Sequence, residues 1–168
     1  MSQEMLADFV FTNTYARYDA QQGRRETFPE AVSRMVEMHV AKYGKTHRDL
    51  IEDAFKSVAE KKVLASQRAL QFGGEPVIKN NMRIYNCATS YCDRLDFFKE
   101  AFFMWLCGVG VGFSVQDVHI SRLPPLLNID ELTNCISVEY VIEDSIEGWA
   151  NALGALIDSF FYSDVISP

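Results

Sequence analysis

The stretch from Asp93 to Gly108, DRLDFFKEAFFMWLCG, constrains the fold of this chain more than any other. Phe98, Ala101, Phe102, Trp105 and Leu106 recur at helical spacing, and Phe97, Phe103 and Met104 make the rest of the circumference apolar as well. A helix apolar nearly all round has to be buried on several sides. On either side of it lie short strand candidates, Arg83 to Thr89 (RIYNCAT) and Val111 to Val115 (VGFSV). The spacing therefore predicts strand, buried helix and strand in succession, the opening of an α/β unit.

The residues before this unit read as helical. Thr27 and Glu30 have the spacing of a capping box, with Pro29 early in the helix. Val32, Met35, Val36, His39, Val40 and Tyr43 follow at helical period, and Gly44 is expected to stop the run. A second helix is predicted from near Thr46 to about Lys62, burying Leu50, Ile51, Ala54, Phe55 and Val58. Beyond the unit, Ile136 to Ile142 alternates apolar and polar residues as a half-buried strand does. A last helix starts at Asp144, its apolar face made by Trp149, Leu153, Leu156, Ile157 and Phe160. This order divides the chain into a mainly helical region over 1–62 and the first part of an α/β structure over 63–168. The closing SDVISP reads as unfinished, because an α/β layout would place a strand there. A sheet edge left so is a template for another polypeptide.

Composition narrows the function. Apolar residues at 48% suffice for a core, and the net charge of −7 argues against a nucleic-acid polymer as partner, since that affinity needs clustered Lys and Arg. Ala101 to Val115 is the longest apolar candidate, but three glycines interrupt it and it is short of the roughly 18 residues a bilayer demands. With no signal-peptide pattern in MSQEMLADF, no membrane association and a cytoplasmic location with reduced cysteines are expected.

Few residues suggest chemistry. Cys87, after Asn86 in the strand pattern RIYNC, reads either as a redox-active thiol in a pocket or as a small buried hydrophobe. Cys92 follows at a Cys-x4-Cys spacing, but no second cysteine pair or nearby histidine completes a zinc set, so no metal site is expected. Cys107 reads as core and Cys135 as semi-buried. Gly108, Gly110 and Gly112 are spaced G-x-G-x-G and run from helix into strand, opposite in direction to a dinucleotide fingerprint. They read as a helix stop and a closely packed strand, or as a place where backbone meets ligand. Gln71 to Glu75 (QFGGE) reads as a loop tip, and His39 and His119 as structural.

Six segments in order resemble the monomeric adenosylcobalamin-dependent ribonucleoside-triphosphate reductases. They are TYARY (Thr14 to Tyr18), GRRETFPEAVSRMVE (Gly23 to Glu37), RIYNC (Arg83 to Cys87), GVGVGFSVQ (Gly108 to Gln116), SRLPPL (Ser121 to Leu126) and EDSIEGWANALGALIDSFF (Glu143 to Phe161). The resemblance implies an incomplete reductase-type α/β barrel. It implies radical chemistry on a ribonucleotide, in which a cysteine thiyl takes the ribose 3′ hydrogen. A cysteine pair then supplies two electrons as the 2′ hydroxyl leaves, and the resulting disulfide is reduced by an external dithiol such as a thioredoxin-like protein. Cys87 matches the first cysteine of that pair. Ser66, Arg68, Asn86, Gly110 and Gly112 would line the substrate cleft.

In that family the thiyl cysteine, the second reducing cysteine, most of the adenosylcobalamin surface and the shuttle cysteines lie beyond the part matched here. The resemblance thus implies the N-terminal portion of a split reductase, completed by a complementary C-terminal polypeptide. The segment between Leu126 and Ile136 is short where some members carry an insertion that helps form the effector site. The family's SDIRP stands here as SDVISP, and Cys92 matches no family role. Two other readings remain: a non-catalytic assembly or regulatory module with the same fold, and a reductase whose radical comes from a di-iron subunit.

Overall fold

The structure is a computed structural model that describes residues 2–64, 66–128, 130 and 139–162, without the side chain of residue 45. The chain forms two compact units, Met1–Tyr85 and Asn86–Pro168. Residues 63–85, expected with the α/β part, thus pack with the first unit, where Leu70 joins the core.

The first unit opens with α1 (Gln3–Thr14), absent from the expectations above and capped by the Ser2 hydroxyl, which accepts the Met5 N–H at 3.2 Å. A hairpin follows, β1 (Tyr18–Asp19) antiparallel to β2 (Arg24–Arg25). Then comes α2 (Phe28–Ala59), which the Thr27–Glu30 capping box starts as expected: the Glu30 carboxylate accepts the Thr27 N–H at 2.6 Å.

As one straight rod, α2 would be about 48 Å long at ~1.5 Å per residue. Yet Lys Nζ of Lys61 lies 5.2 Å from the centre of the Phe28 ring, and the His39 and Phe55 rings are 5.4 Å apart. The run therefore folds back on itself, and His47, with φ −131° and ψ 15°, is its non-helical residue. Two helical arms were expected here, with the break at Gly44. Gly44 instead stays helical and the break falls at His47. A glycine lowers helix stability but does not end a helix that tertiary packing holds.

The reversal lets Phe55 and Val58 pack on a core of Phe11, Phe28, Ala31, Val32, Met35 and Leu70. Phe11 and Phe28 meet edge to face at 5.3 Å, an arrangement worth about 0.5–1.5 kcal/mol beyond the area it buries. Two short helices, α3 (Gln67–Phe72) and α4 (Glu75–Lys79), and a 3-10 turn (Asn81–Ile84) complete the unit. The expected loop tip at Gln71 to Glu75 is the tight junction of α3 and α4. Gly74 there has φ +95°, and a Cβ on Gly73 would fall 1.8 Å from Met35 Sδ. Arg34 ties the junction to α2, donating to the carbonyls of Leu70 and Gly73 while pairing with Glu26 at 2.6 Å.

The second unit is β3 (Cys87–Tyr91), α5 (Asp96–Leu106) and β4 (Gly110–Ser114), followed by α6 (Asp117–Ile120) and α7 (Ile146–Asp158). β3 and β4 are parallel, with Cys87 opposite Gly110 and Tyr91 opposite Ser114. The strand begins at Cys87, four residues later than Arg83, because Asn81–Ile84 takes the 3-10 turn instead. Of the expected strand at Ile136 to Ile142, residues 139–142 are not extended in a ladder and 136–138 lie outside the described residues, as do Cys135 and residues 163–168.

α5 covers one face of the strand pair. Phe97 and Ala101 are buried with Cys92, against Phe98, Val111 and Leu123. α7 packs on α5, where Gly154 brings its backbone against Lys99. The expected inner residues Trp105 and Leu106 of α5, Trp149 and Leu156 of α7, and Phe160 just beyond it are instead exposed. The buried positions of α7 are small residues, Gly148, which lies against Glu143, and Ala150.

Candidate active site

Strand alternation decides which side chains meet solvent. Cys87, Thr89 and Tyr91 share one face of β3, and all three are exposed. Ala88 and Ser90 share the other, which α5 covers through Phe97, whose ring lies 5.3 Å from that of Phe113 on β4. Across from Cys87 and Thr89, on the uncovered face, stand Gly110 and Gly112. The Cys87 thiol is free and sits on an open parallel ladder beside bare main chain.

Neither glycine is required by packing among the described residues. A Cβ on Gly110 would lie 3.5 Å from the Asn86 carbonyl, and one on Gly112 would lie 3.8 Å from Thr89 Cγ2, both ordinary contacts. What the glycines provide is room above the sheet next to the thiol. Asn86 holds the thiol in register, its carbonyl accepting the Gly110 N–H at 2.8 Å.

Among the expected site residues the fold brings together Asn86, Cys87, Gly110 and Gly112. Ser66 and Arg68 lie in the first unit: Ser66 caps α3 and donates to the Ile84 carbonyl at 3.4 Å, and Arg68 stands over the Phe72 ring at 5.5 Å. Thr89 and Tyr91 were not singled out from sequence, although their even spacing from Cys87 on one strand was the available signal. At the far end of the face His119 stacks on Tyr91 at 4.4 Å, and its Nδ1 lies 3.0 Å from Ser114 Oγ. Four strand residues separate that end from Cys87, roughly 13 Å, which is too far for His119 to share a proton with the thiol.

The other cysteines are set apart. Cys92 is 5% exposed, and burial, with the negative charge of Asp93 adding, raises its thiol above its ordinary pKa. It follows Cys87 by five residues of extended chain, roughly 16 Å, well past the reach of a disulfide. Cys107 is 1% exposed in the turn after α5. Among the described residues no group of three or more His, Cys, Asp or Glu side chains could hold a metal ion. Among them also, no helix is long and apolar enough to cross a membrane.

The chain superimposes on the crystal structure of a B12-dependent, class II ribonucleotide reductase with a TM-score of 0.71 and 21% identity, over 92% of this chain and 30% of that one. The α/β arrangement is thus a fragment of the class II reductase fold with the barrel incomplete. In sequence the chain is 28% identical, over 94% of its length, to a protein of Mycobacterium phage D29 named as an adenosylcobalamin-dependent ribonucleoside-triphosphate reductase. The resemblance implied by the six motifs therefore runs through nearly the whole chain. The chain spans about a quarter of the length of that curated relative, 26%. No family model matches it.

Proposed function

We propose that this chain is a portion of an adenosylcobalamin-dependent ribonucleotide reductase and that Cys87 is one of the two thiols that reduce the ribose. The observation that carries the reading is a free, exposed thiol on a parallel strand, with glycine backbone opposite where a flat ligand can lie. The chemistry is balanced by two thiols: their two protons and two electrons replace the 2′ hydroxyl by hydrogen and release water, and the sulfurs join as a disulfide. An external dithiol, of the thioredoxin-like kind, then restores both thiols. Ser66, Arg68 and Asn86 are proposed as further contacts to the ribonucleotide.

The second thiol, the radical-bearing cysteine and the other walls are assigned to a complementary polypeptide. Parallel strands are normally covered on both faces, and among the described residues one face of this pair leaves Cys87, Thr89 and Tyr91 exposed. Adenosylcobalamin, the proposed source of the radical, does not fit either of two cavities formed by described residues of the first unit. These measure about 380 and 340 Å³, the size of a small ligand rather than of a corrin with its nucleotide tail. Its binding is assigned mainly to the complementary polypeptide. A di-iron radical source is less favoured because both similar proteins are named for the cobalamin or B12.

The test is reconstitution with the complementary polypeptide, adenosylcobalamin, a ribonucleotide and a dithiol. Cys87→Ser is expected to lower deoxyribonucleotide formation by about 10⁴-fold or more, with assembly unchanged, as when a residue of a concerted catalytic unit is removed. Normal turnover in Cys87→Ser overturns the role. Assembly with an intact reductase, without activity in any mixture, points instead to a non-catalytic module.

A further inference from the structure

The first unit contains a cavity of about 380 Å³ whose lining includes three arginines, Arg17, Arg25 and Arg83, and no acidic residue. This is unexpected in a chain of net charge −7. The carboxylate nearest in the network, Glu26, is already held by Arg34 at 2.6 and 3.1 Å and by the Arg17 N–H at 3.1 Å. Among the described residues no ion pair engages Arg17, Arg25 or Arg83.

Arg17 is the inner member. Its Nε donates to the Gln71 carbonyl at 2.7 Å, and its Nη2 is buried without a hydrogen-bond partner among the described residues. Burial, followed by the positive charge of Arg34, lowers its pKa, and Glu26 offsets this only in part. Buried polar groups nearly always find a partner, so an orphaned guanidinium N–H on a residue that lines a cavity leaves donor capacity for an acceptor supplied from outside. Arg25 is steadied by a bond from Nη1 to the Ala16 carbonyl at 2.6 Å, and Arg83 stands 5.7 Å from the Phe72 ring centre. Each keeps further N–H groups for a ligand, since a guanidinium carries five.

We propose that this cavity binds a polyphosphate anion, with Arg17 as its inner contact and Arg25 and Arg83 as outer ones. Planar guanidinium forks match phosphate oxygens two at a time, and three fixed charges suit a chain of phosphates better than a single carboxylate. The volume is that of a small ligand, and the site stands apart from the cysteine reading.

The experiment is calorimetric titration of the whole chain with tripolyphosphate, orthophosphate and ATP, together with nitrogen-15 spectra of the arginine Nε–H groups. Tripolyphosphate is expected to bind at least about tenfold tighter than orthophosphate and to shift the Arg17 Nε–H resonance. Arg83→Gln and Arg25→Gln are each expected to weaken it at least about tenfold with unchanged circular dichroism. ATP binding as tightly as tripolyphosphate or more so assigns the site to the phosphate chain of a nucleotide. Tripolyphosphate bound without ATP assigns it to free polyphosphate. No saturable binding by the wild-type chain, or binding that leaves the Arg17 resonance unmoved, overturns the proposal even where a variant fails to fold.

Discussion

Two glycine positions show how differently the same residue type is used. At Gly73 a methyl group would overlap Met35 Sδ at 1.8 Å and the Ala69 carbonyl at 2.5 Å, the latter rigid backbone. Gly73→Ala is expected to cost about 1–3 kcal/mol, the range for overpacking, read as a lowered midpoint in thermal or urea unfolding. At Gly112 a methyl group meets nothing closer than 3.8 Å. Gly112→Ala is expected to leave stability within about 0.5 kcal/mol. If a ribonucleotide lies on this face, the same change should lower kcat/KM of the reconstituted enzyme roughly tenfold, about 1.4 kcal/mol. An unchanged kcat/KM would remove Gly112 from the site. These contrasting roles were only partly legible in the sequence, where QFGGE read as a loop tip and GVGVGF as a closely packed strand or a place where backbone meets ligand, because what surrounds a missing Cβ depends on chain brought in from elsewhere.

Helix α2 owes its start to a charged cap. The Arg24 guanidinium, and then the Thr27 backbone and hydroxyl, hold the Glu30 carboxyl down to about 2 from its usual 4.5. A group whose pKa is depressed on folding stabilises the fold above its ordinary pKa and loses that contribution as pH falls through its folded pKa. The cap is therefore expected to be fully effective above about pH 4.5 and to fade down to about pH 2. Comparing unfolding of the wild type and Glu30→Gln across that window tests this: the difference between them should shrink with acidification. Because the group is exposed, salt should reduce the difference as well. A pH-independent difference would show that the cap does not depend on the carboxylate charge. The capping box was readable three residues apart in the chain. The reversal at His47 was not, because it is fixed by contacts such as His39 with Phe55 rather than by local propensity.

Taken whole, the chain leaves much apolar surface uncovered. Trp105 on α5 and Trp149 on α7 are 47% and 46% exposed, and Phe113, Val118, Leu126 and Leu156 are exposed as well. If a complementary polypeptide completes the barrel over these helices, the fluorescence of these tryptophans, the chain's only two, should move to shorter wavelength and resist acrylamide quenching on assembly. Emission that stays solvent-like in the complex would show that the partner docks elsewhere. The apolar circumference of DFFKEAFFMWL pointed to burial on several sides, and α5 has found only part of that cover, from the strand pair and α7.

The linear order of residues was enough to set the capped helix at Thr27 and the strand–helix–strand succession, because these follow from spacing along one or two turns or rungs, whereas the pairing of the Cys87 strand with the glycine strand came from the fold. The alternation of β3 also required that Cys87, Thr89 and Tyr91 share a face, but not that this face be the open one. That was decided when α5 docked Phe97 and Ala101 on the opposite side. Likewise Arg17, Arg25 and Arg83 line one cavity only because α1, the hairpin and the α3–α4 junction fold around the core that they share, and no pattern in the chain links residues so far apart.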